Sequence, residues 1–180
     1  MRLLLIEDVA DDALLIVHEV QRGGYEVSWE RVDTARALTA ALQREPWDVI
    51  TCDWVMPQLS APAALALLQE HGVEAPIIIV SGEVGEEVAV TAMKVGAHDF
   101  VSKHKLTRLC PAIERELRDA ESRRARKRAE DALRESEDRY RDLVEHCEDI
   151  LTTHDLQGRL LSVNPMAARL LEYEDRKSVV

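Results

Sequence analysis

Cysteine is scarce in this chain of 180 residues: there are three, Cys52, Cys110 and Cys147, with no Cys-x-x-Cys pair and an odd total. That count excludes a disulfide framework and a thiolate zinc site, and it suits a reducing compartment. Long apolar runs are missing as well. None approaches the roughly 20 residues of a membrane-spanning helix, and the opening Met1-Arg2-Leu3-Leu4-Leu5-Ile6-Glu7-Asp8 turns acidic too early for a signal peptide. A soluble cytoplasmic protein without a membrane partner is expected. Positive charge is in short supply, with 23 Lys and Arg against 34 Asp and Glu and a net charge of -11. Phosphate binding rests on lysines and arginines, so this balance opposes non-specific binding to nucleic acid or anionic lipid. The excess acid is concentrated at the front, where residues 1–110 hold 17 acids and 9 bases. The length suffices for one full domain and a fragment of a second.

What is present is an alternation of apolar runs and helical periodicities. Leu3 to Ile6 reads as a strand, and after Asp11 the spacing of Ala13, Leu14, Val17 and Val20 reads as a helix stopped by Gly23-Gly24. Tyr25 to Arg31 alternates like a second strand. Thr34 is placed to cap a helix running to Arg44, and Trp47 to Cys52 is a buried strand ending at Asp53. Pro57 and Pro62 punctuate a loop before the apolar face of Ala64, Leu65, Leu67 and Leu68. Ile77 to Val80, a helix from Glu86 to Val95 stopped by Gly96, and a strand from Ala97 to Ser102 complete the pattern. Five strands alternating with helices predict a doubly wound α/β domain over residues 1–105, with a parallel sheet covered on both faces. In such a sheet, ligands bind beyond the carboxyl ends of the strands, where strand order reverses.

From Leu106 to Cys147 there is no glycine and an abundance of strong helix formers, with Pro111 suited to a first turn. One long helix over residues 106–147 is predicted, on the order of 60 Å at 1.5 Å per residue. Its apolar stripe is narrow: Leu106, Leu109, Ile113, Leu117 and Ala120, then Ala125, Ala129, Ala132, Ser136, Tyr140, Leu143 and Cys147. The step from 120 to 125 breaks the three-four rhythm, as a register shift in a coiled coil does. A paired helix, and so a homodimer, is expected. Beyond it, Ile150 to His154, a turn at Asp155 to Gly158, Arg159 to Val163 and a short helix opened by Asn164-Pro165 predict a hairpin and helix within residues 148–180. Such a set cannot bury a core alone.

Four strand ends carry one chemistry. Glu7 and Asp8 follow the first strand, Asp53 ends the third, Ser81 the fourth and Lys103 the fifth. Any one of them taken singly is an ordinary polar strand terminus. Together, clustered carboxylates call for a cation, and a few hard oxygen ligands with open water positions fit Mg²⁺. A metal, one ammonium and one hydroxyl also complement a phosphoryl group in transfer, which makes Asp53 a candidate nucleophile forming an acyl phosphate.

This constellation resembles the receiver domains of two-component response regulators. Glu7-Asp8 looks like the family's acidic pair, Asp53 like its phosphoacceptor, Met56-Pro57 like the Met-Pro that follows, Ser81 like its Ser/Thr switch, Phe100 like its switching aromatic and Lys103 like its lysine. The resemblance implies a flavodoxin-like sheet of order 2-1-3-4-5, a sensor histidine kinase as phosphodonor, and Mg²⁺ held by Asp8, Asp53 and the backbone carbonyl of Val55, with Glu7 acting through water. It also implies that phosphorylation draws Ser81 inward and lets Phe100 turn in. Two residues depart from the pattern: Ala61 where glycine is common, and His104 after the lysine where proline is usual. A cis bond without proline costs about 2.5 to 4 kcal/mol, so that loop is expected to be reshaped. Trp54 belongs at the rim of the site.

Residues 136–173 resemble the opening of a PAS sensory domain, carried by Glu137 to Val144, the Asp155-Leu156-Gln157-Gly158-Arg159 turn, and Val163-Asn164-Pro165 leading to Ala167, Ala168, Leu170, Leu171 and Tyr173, with Glu172 where glycine is common. Other signals are set aside. Arg123 to Arg128 is flanked by Asp119, Glu121, Glu130 and Asp131 and reads as a solvated helix face. His18 lacks a kinase context, and Gly82 and Gly85 do not form a nucleotide fingerprint. A dehalogenase-type phosphatase wants a second acid two residues after its nucleophile, where this chain has Val55. A flavodoxin-like carrier needs a hydroxyl-rich phosphate loop where Glu7-Asp8-Val9-Ala10 stands. The reading is a phosphoaccepting regulatory switch, itself no enzyme; the alternative is the regulatory front of a larger signalling enzyme, a hybrid histidine kinase or a diguanylate cyclase.

Overall fold

The computed structural model describes residues 1–82 and 86–170. Gly85 and the Leu171, Glu172 and Tyr173 of the PAS resemblance lie outside the described residues. Two compact units divide the chain, Met1–Arg123 and Arg124–Val180.

In the first unit, five strands form one parallel sheet: β1 (Arg2–Ile6), β2 (Ser28–Val32), β3 (Val49–Cys52), β4 (Ile77–Ser81) and β5 (Asp99–Ser102), in the order β2-β1-β3-β4-β5. β1, β3 and β4 are central and, apart from Arg2, Thr51 and Ser81, apolar, because both faces are covered. Alternation along each strand sends side chains to two layers. Leu3, Leu5, Val49, Ile78, Val80 and Val101 pack against α1 (Ala10–Arg22) and the start of α5 (Leu109–Glu145). Leu4, Ile6, Ile50, Cys52, Ile77 and Ile79 pack against α2 (Ala35–Arg44), α3 (Ala61–Glu70) and α4 (Glu86–Lys94).

Local chemistry fixes the helix ends, and three depart from the sequence expectation. Thr34 Oγ1 accepts from Ala37 N–H at 3.3 Å, capping α2. α3 starts at Ala61, with Pro62 inside its first turn instead of in the loop: Ser60 Oγ accepts from Ala63 N–H at 3.4 Å, and proline's missing donor costs nothing there. Ala61, fully buried as the first residue of α3, needs no left-handed backbone. α1 begins at Ala10, ahead of Asp11, which puts Asp11 and Asp12 in its first turn, where the helix dipole favours acids. At the other end of α1, a Cβ on Gly23 would run into the Cys110 sulfur, so the close approach of α1 to α5 requires glycine. The long helix starts at Leu109, because Lys103–Arg108 coils as 3-10 turns interrupted at Lys105 (φ -135°, ψ 48°).

α5 buries Leu109, Ala112, Ile113, Glu116 and Ala120. Beyond them the stripe residues Ala125, Ala129, Ala132, Ser136, Tyr140 and Leu143 are exposed. Pairs such as Arg126–Glu130 (2.7 Å) and Arg139–Glu135 (2.8 Å) line this stretch at i,i+4 spacing and contribute little each.

In the second unit, β6 (Thr152–His154) and β7 (Leu160–Val163) form an antiparallel hairpin, followed by α6 (Pro165–Leu170). The turn rests on Asp155, whose Oδ1 accepts from Gln157 and Arg159 N–H at 3.0 and 2.7 Å, with Gly158 at φ 78°. Asn164, 1% exposed, ties the unit together. Its amide nitrogen donates to the carbonyls of Val144 (3.4 Å), Cys147 (3.3 Å) and Asp149 (2.9 Å), and its Oδ1 accepts from Leu151 and Ala167 N–H at 3.1 and 3.0 Å. Asn164→Ala leaves several of these wholly or partly buried groups unsatisfied, and a loss of about 1–3 kcal/mol is expected. Faster hydrogen exchange at the Leu151 and Ala167 amides, with β1 and β3 unchanged, is the measurement that checks it.

Candidate functional site

The charged residues continue the strands beyond their carboxyl ends, at the β1/β3 point where strand order reverses. Glu7, Asp53 and Lys103 each lie an even number of residues beyond the strand positions that face α1 and α5, so all three extend that layer. One ligand oxygen from each of Glu7, Asp8 and Asp53 can be chosen so that the three lie within 4.8 Å of one another.

Lys103 is the hub. Its ammonium lies 2.6 Å from Asp12 Oδ2, 2.7 Å from Asp53 Oδ2 and 2.9 Å from Glu7 Oε2. Burial alone would lower its pKa, but hydrogen bonds to Asp12, Asp53 and Glu7 raise it well above the usual lysine value. Asp53, 8% exposed, is gripped from both sides. Its Oδ1 accepts from the backbone N–H of Trp54 at 2.6 Å and faces that of Val55 at 3.4 Å, while Oδ2 takes the ammonium.

Glu7 is 1% exposed. Its Oε1 accepts from Val9 N–H at 3.2 Å, and the buried Oε2 lies 2.9 Å from the Lys103 ammonium. Burial raises the Glu7 pKa, the Asp53 charge adds to the rise, and Lys103 and Val9 only partly offset it. Three carboxylates, those of Glu7, Asp12 and Asp53, thus share one ammonium, with the Asp8 carboxylate close to two of them. That donor set, all hard oxygen and under-neutralised, fits a divalent cation such as Mg²⁺. The sign of the Glu7 shift sets a pH dependence. A raised folded-state pKa means that the fold holds the Glu7 proton more tightly than the unfolded chain does. Its contribution is fully present below the ordinary value of 4.5 and is lost as pH rises through the higher folded value. Metal-free unfolding midpoints are therefore expected to fall across that window, and Glu7→Gln flattens this component of the profile.

Ser81, 1% exposed, pairs in register with Ser102 and continues the opposite layer, the one holding Ile77 and Ile79. Half-buried Phe100 packs against that same layer. The hydroxyl and aromatic thus lie on the α2–α4 side of the sheet, and the acids and lysine on the α1–α5 side. Trp54 is half-buried beside Asp53, and the Val55 side chain is exposed. Cys52 packs in the core; burial, then the charges of Asp53 and Glu7, push its thiol pKa far up, so it is inert. Among the described residues no peptide bond is cis. His104 N–H donates to Ser102 Oγ at 3.2 Å, a bond that proline could not make.

Sequence reasoning missed two residues here. Asp12 reaches Lys103 because α1 starts early enough to turn it toward the site. Arg31, near the end of β2, donates from Nη1 to the backbone carbonyls of Glu7 (2.8 Å) and Asp8 (3.2 Å).

A family model described as the response regulator receiver domain matches residues 3–114. The chain is similar to the chemotaxis protein CheY of Thermotoga maritima, 28% identical over 102 residues, covering 57% of this chain and 84% of that protein. It is also similar to a protein-glutamate methylesterase/protein-glutamine glutaminase of Archaeoglobus fulgidus, 35% identical over 109 residues, covering 57% of this chain and 30% of that one. Among solved structures, NtrX from Brucella abortus superposes with a TM-score of 0.63 at 25% identity, over 71% of this chain and 29% of that chain.

Proposed function

The chain belongs to the response regulator receiver family, and we propose that it is the phosphoacceptor of a two-component phosphorelay, with Asp53 taking a phosphoryl group from a sensor histidine kinase. The observation that carries this reading is the Asp53 carboxylate, with Trp54 N–H on one oxygen, Lys103 on the other, and Glu7 and Asp8 alongside.

In the transfer, an Asp53 oxygen bonds to phosphorus as the P–N bond to the donor imidazole breaks, and the electron pair stays on the imidazole nitrogen, which takes up a proton. The Trp54 N–H fixes the plane of the carboxylate for in-line attack. Lys103 neutralises charge on the transferring oxygens. Asp8, Asp53 and the Val55 carbonyl, with Glu7 acting through water, would hold Mg²⁺, which would supply further neutralisation at the phosphoryl group.

The added charge of about -1.5 to -2 reaches the rest of the domain through Ser81, whose hydroxyl donates to the phosphoryl group, and through Phe100 on the same side of the sheet. The signal passes to α5, whose exposed Ala125–Leu143 stripe pairs with a second copy, and on to the PAS-like hairpin as output region. In this reading the chain is cytoplasmic, is not itself an enzyme and binds no nucleic acid. Phe100→Ala is expected to leave phosphoryl uptake intact and to abolish any phosphorylation-dependent shift in sedimentation; loss of both together would sink this route.

The deciding experiment is transfer from a phosphorylated histidine kinase, with Mg²⁺ or with EDTA. Base-labile label on this chain in Mg²⁺ alone supports the proposal, and label that survives alkali or ignores EDTA contradicts it.

A further inference from the structure

Beyond the strand ladder, the carbonyls of Glu7 and Asp8 have no strand partner among the described residues: β1 ends at Ile6, whose carbonyl is taken by Asp53 N–H at 2.9 Å. Glu7 is buried, so its carbonyl cannot turn to water for a donor. Arg31 provides one. In the parallel register it pairs with Leu5, and its side chain reaches over the end of β1 to the carbonyls of Glu7 and Asp8. Asp33 Oδ2, 3.2 Å from the same nitrogen, anchors the guanidinium from the β2 side.

We propose that Arg31 is a positioning residue of the metal site, holding the β1–α1 loop so that the Glu7 and Asp8 carboxylates stand where a divalent cation can bridge them to Asp53. The proposal rests on the Mg²⁺ reading above. Both acids hang from the segment whose two carbonyls Arg31 holds, so a rotation of that segment swings both carboxylates at once. Val9 N–H holds Glu7 Oε1 from the helix side, and Arg31 holds the backbone from the strand side. An arginine suits this role because its planar guanidinium is always charged and presents its donors in a fixed geometry.

Charge and position make opposite predictions here, which is what makes the proposal testable. By charge alone, removing a cation from beside an acidic pocket tightens Mg²⁺ binding. If Arg31 acts by position, removing it weakens binding, by about tenfold, the lower end of what loss of an outer-shell partner costs. The experiment is calorimetric titration of Mg²⁺ into the wild-type chain, Arg31→Gln and Arg31→Lys, with metal-free thermal melts of each. Weaker binding in both variants, less so in Arg31→Lys, with melts close to wild type, is the expected result. Unchanged or tighter binding in Arg31→Gln overturns the positioning role and leaves the metal site standing. Loss of the fold in both variants assigns Arg31 to stability and overturns it too. No Mg²⁺ binding by the wild-type chain overturns the metal reading itself, and this proposal with it.

Discussion

Lys103→Met is expected to destabilise the receiver unit by about 2–3 kcal/mol at pH 7, somewhat below the 3–5 typical of removing one partner from a fully buried ion pair, because Asp12 lies at the edge of water. The lysine side chain is 15% exposed and contacts three carboxylates, those of Glu7, Asp12 and Asp53. Methionine matches its bulk but leaves those acids facing one another. Two additions are expected to restore the loss. Mg²⁺ replaces the missing cation, so the variant gains more stability from the metal than wild type does. Acid also helps: the Glu7 pKa is already raised and rises further without the ammonium, so the variant recovers as pH falls through that raised value and Glu7 takes up its proton. In wild type the Lys103 contribution is fully present below the ordinary value of 10.5 and is lost only above it, as pH rises through the higher folded value. Urea melts at pH 7 and pH 5, with and without Mg²⁺, measure all of this. A variant as stable as wild type at pH 7 contradicts the account of the cluster.

Asp53→Asn is expected to abolish phosphoryl uptake while leaving the sheet intact. An amide oxygen carries no full negative charge and is no match for a carboxylate as nucleophile, and the substitution changes no volume in the core. The backbone N–H of Trp54 still finds an oxygen to bond, so the loop after β3 keeps its shape. What is lost is one of the three clustered acids that could hold a metal and the strongest partner of Lys103 on the strand side. Weaker Mg²⁺ binding therefore accompanies the loss of uptake, and a titration followed by Trp54 fluorescence reads it. Persistent uptake in this variant, at a rate near wild type, would place the acceptor elsewhere.

Much of the receiver fold was legible because burial writes itself into composition. Leu3-Leu4-Leu5-Ile6 and Ile77-Ile78-Ile79-Val80 are covered on both faces, and only a central parallel strand accommodates such runs. Thr34 announced its helix through its hydroxyl. Boundaries were harder, since a first-turn proline at Pro62 and a 3-10 stretch at Lys103–Arg108 depend on where neighbouring segments let the chain turn. The acids and the lysine of the site could be named from the sequence because each directly follows a strand. Asp12 could not: whether it faces Lys103 depends on α1 starting at Ala10, a choice made by tertiary packing with no side-chain cap to mark it. Arg31 was hidden for a different reason. Its partners are backbone carbonyls on a neighbouring strand's end, and backbone carries no residue signature. The hairpin of the second unit was visible in Asp155 and Gly158, while the stapling by Asn164 involves contacts spread over 20 residues of sequence.

The most direct test of the central claim is the intact mass of the protein after incubation with acetyl phosphate and Mg²⁺, set beside an EDTA control and Asp53→Asn. A gain of one phosphoryl group by the wild-type chain, removed by mild base and absent from both controls, is the predicted result. No gain, or an equal gain in Asp53→Asn, would contradict the assignment of this chain as a phosphoaccepting switch acting through Asp53.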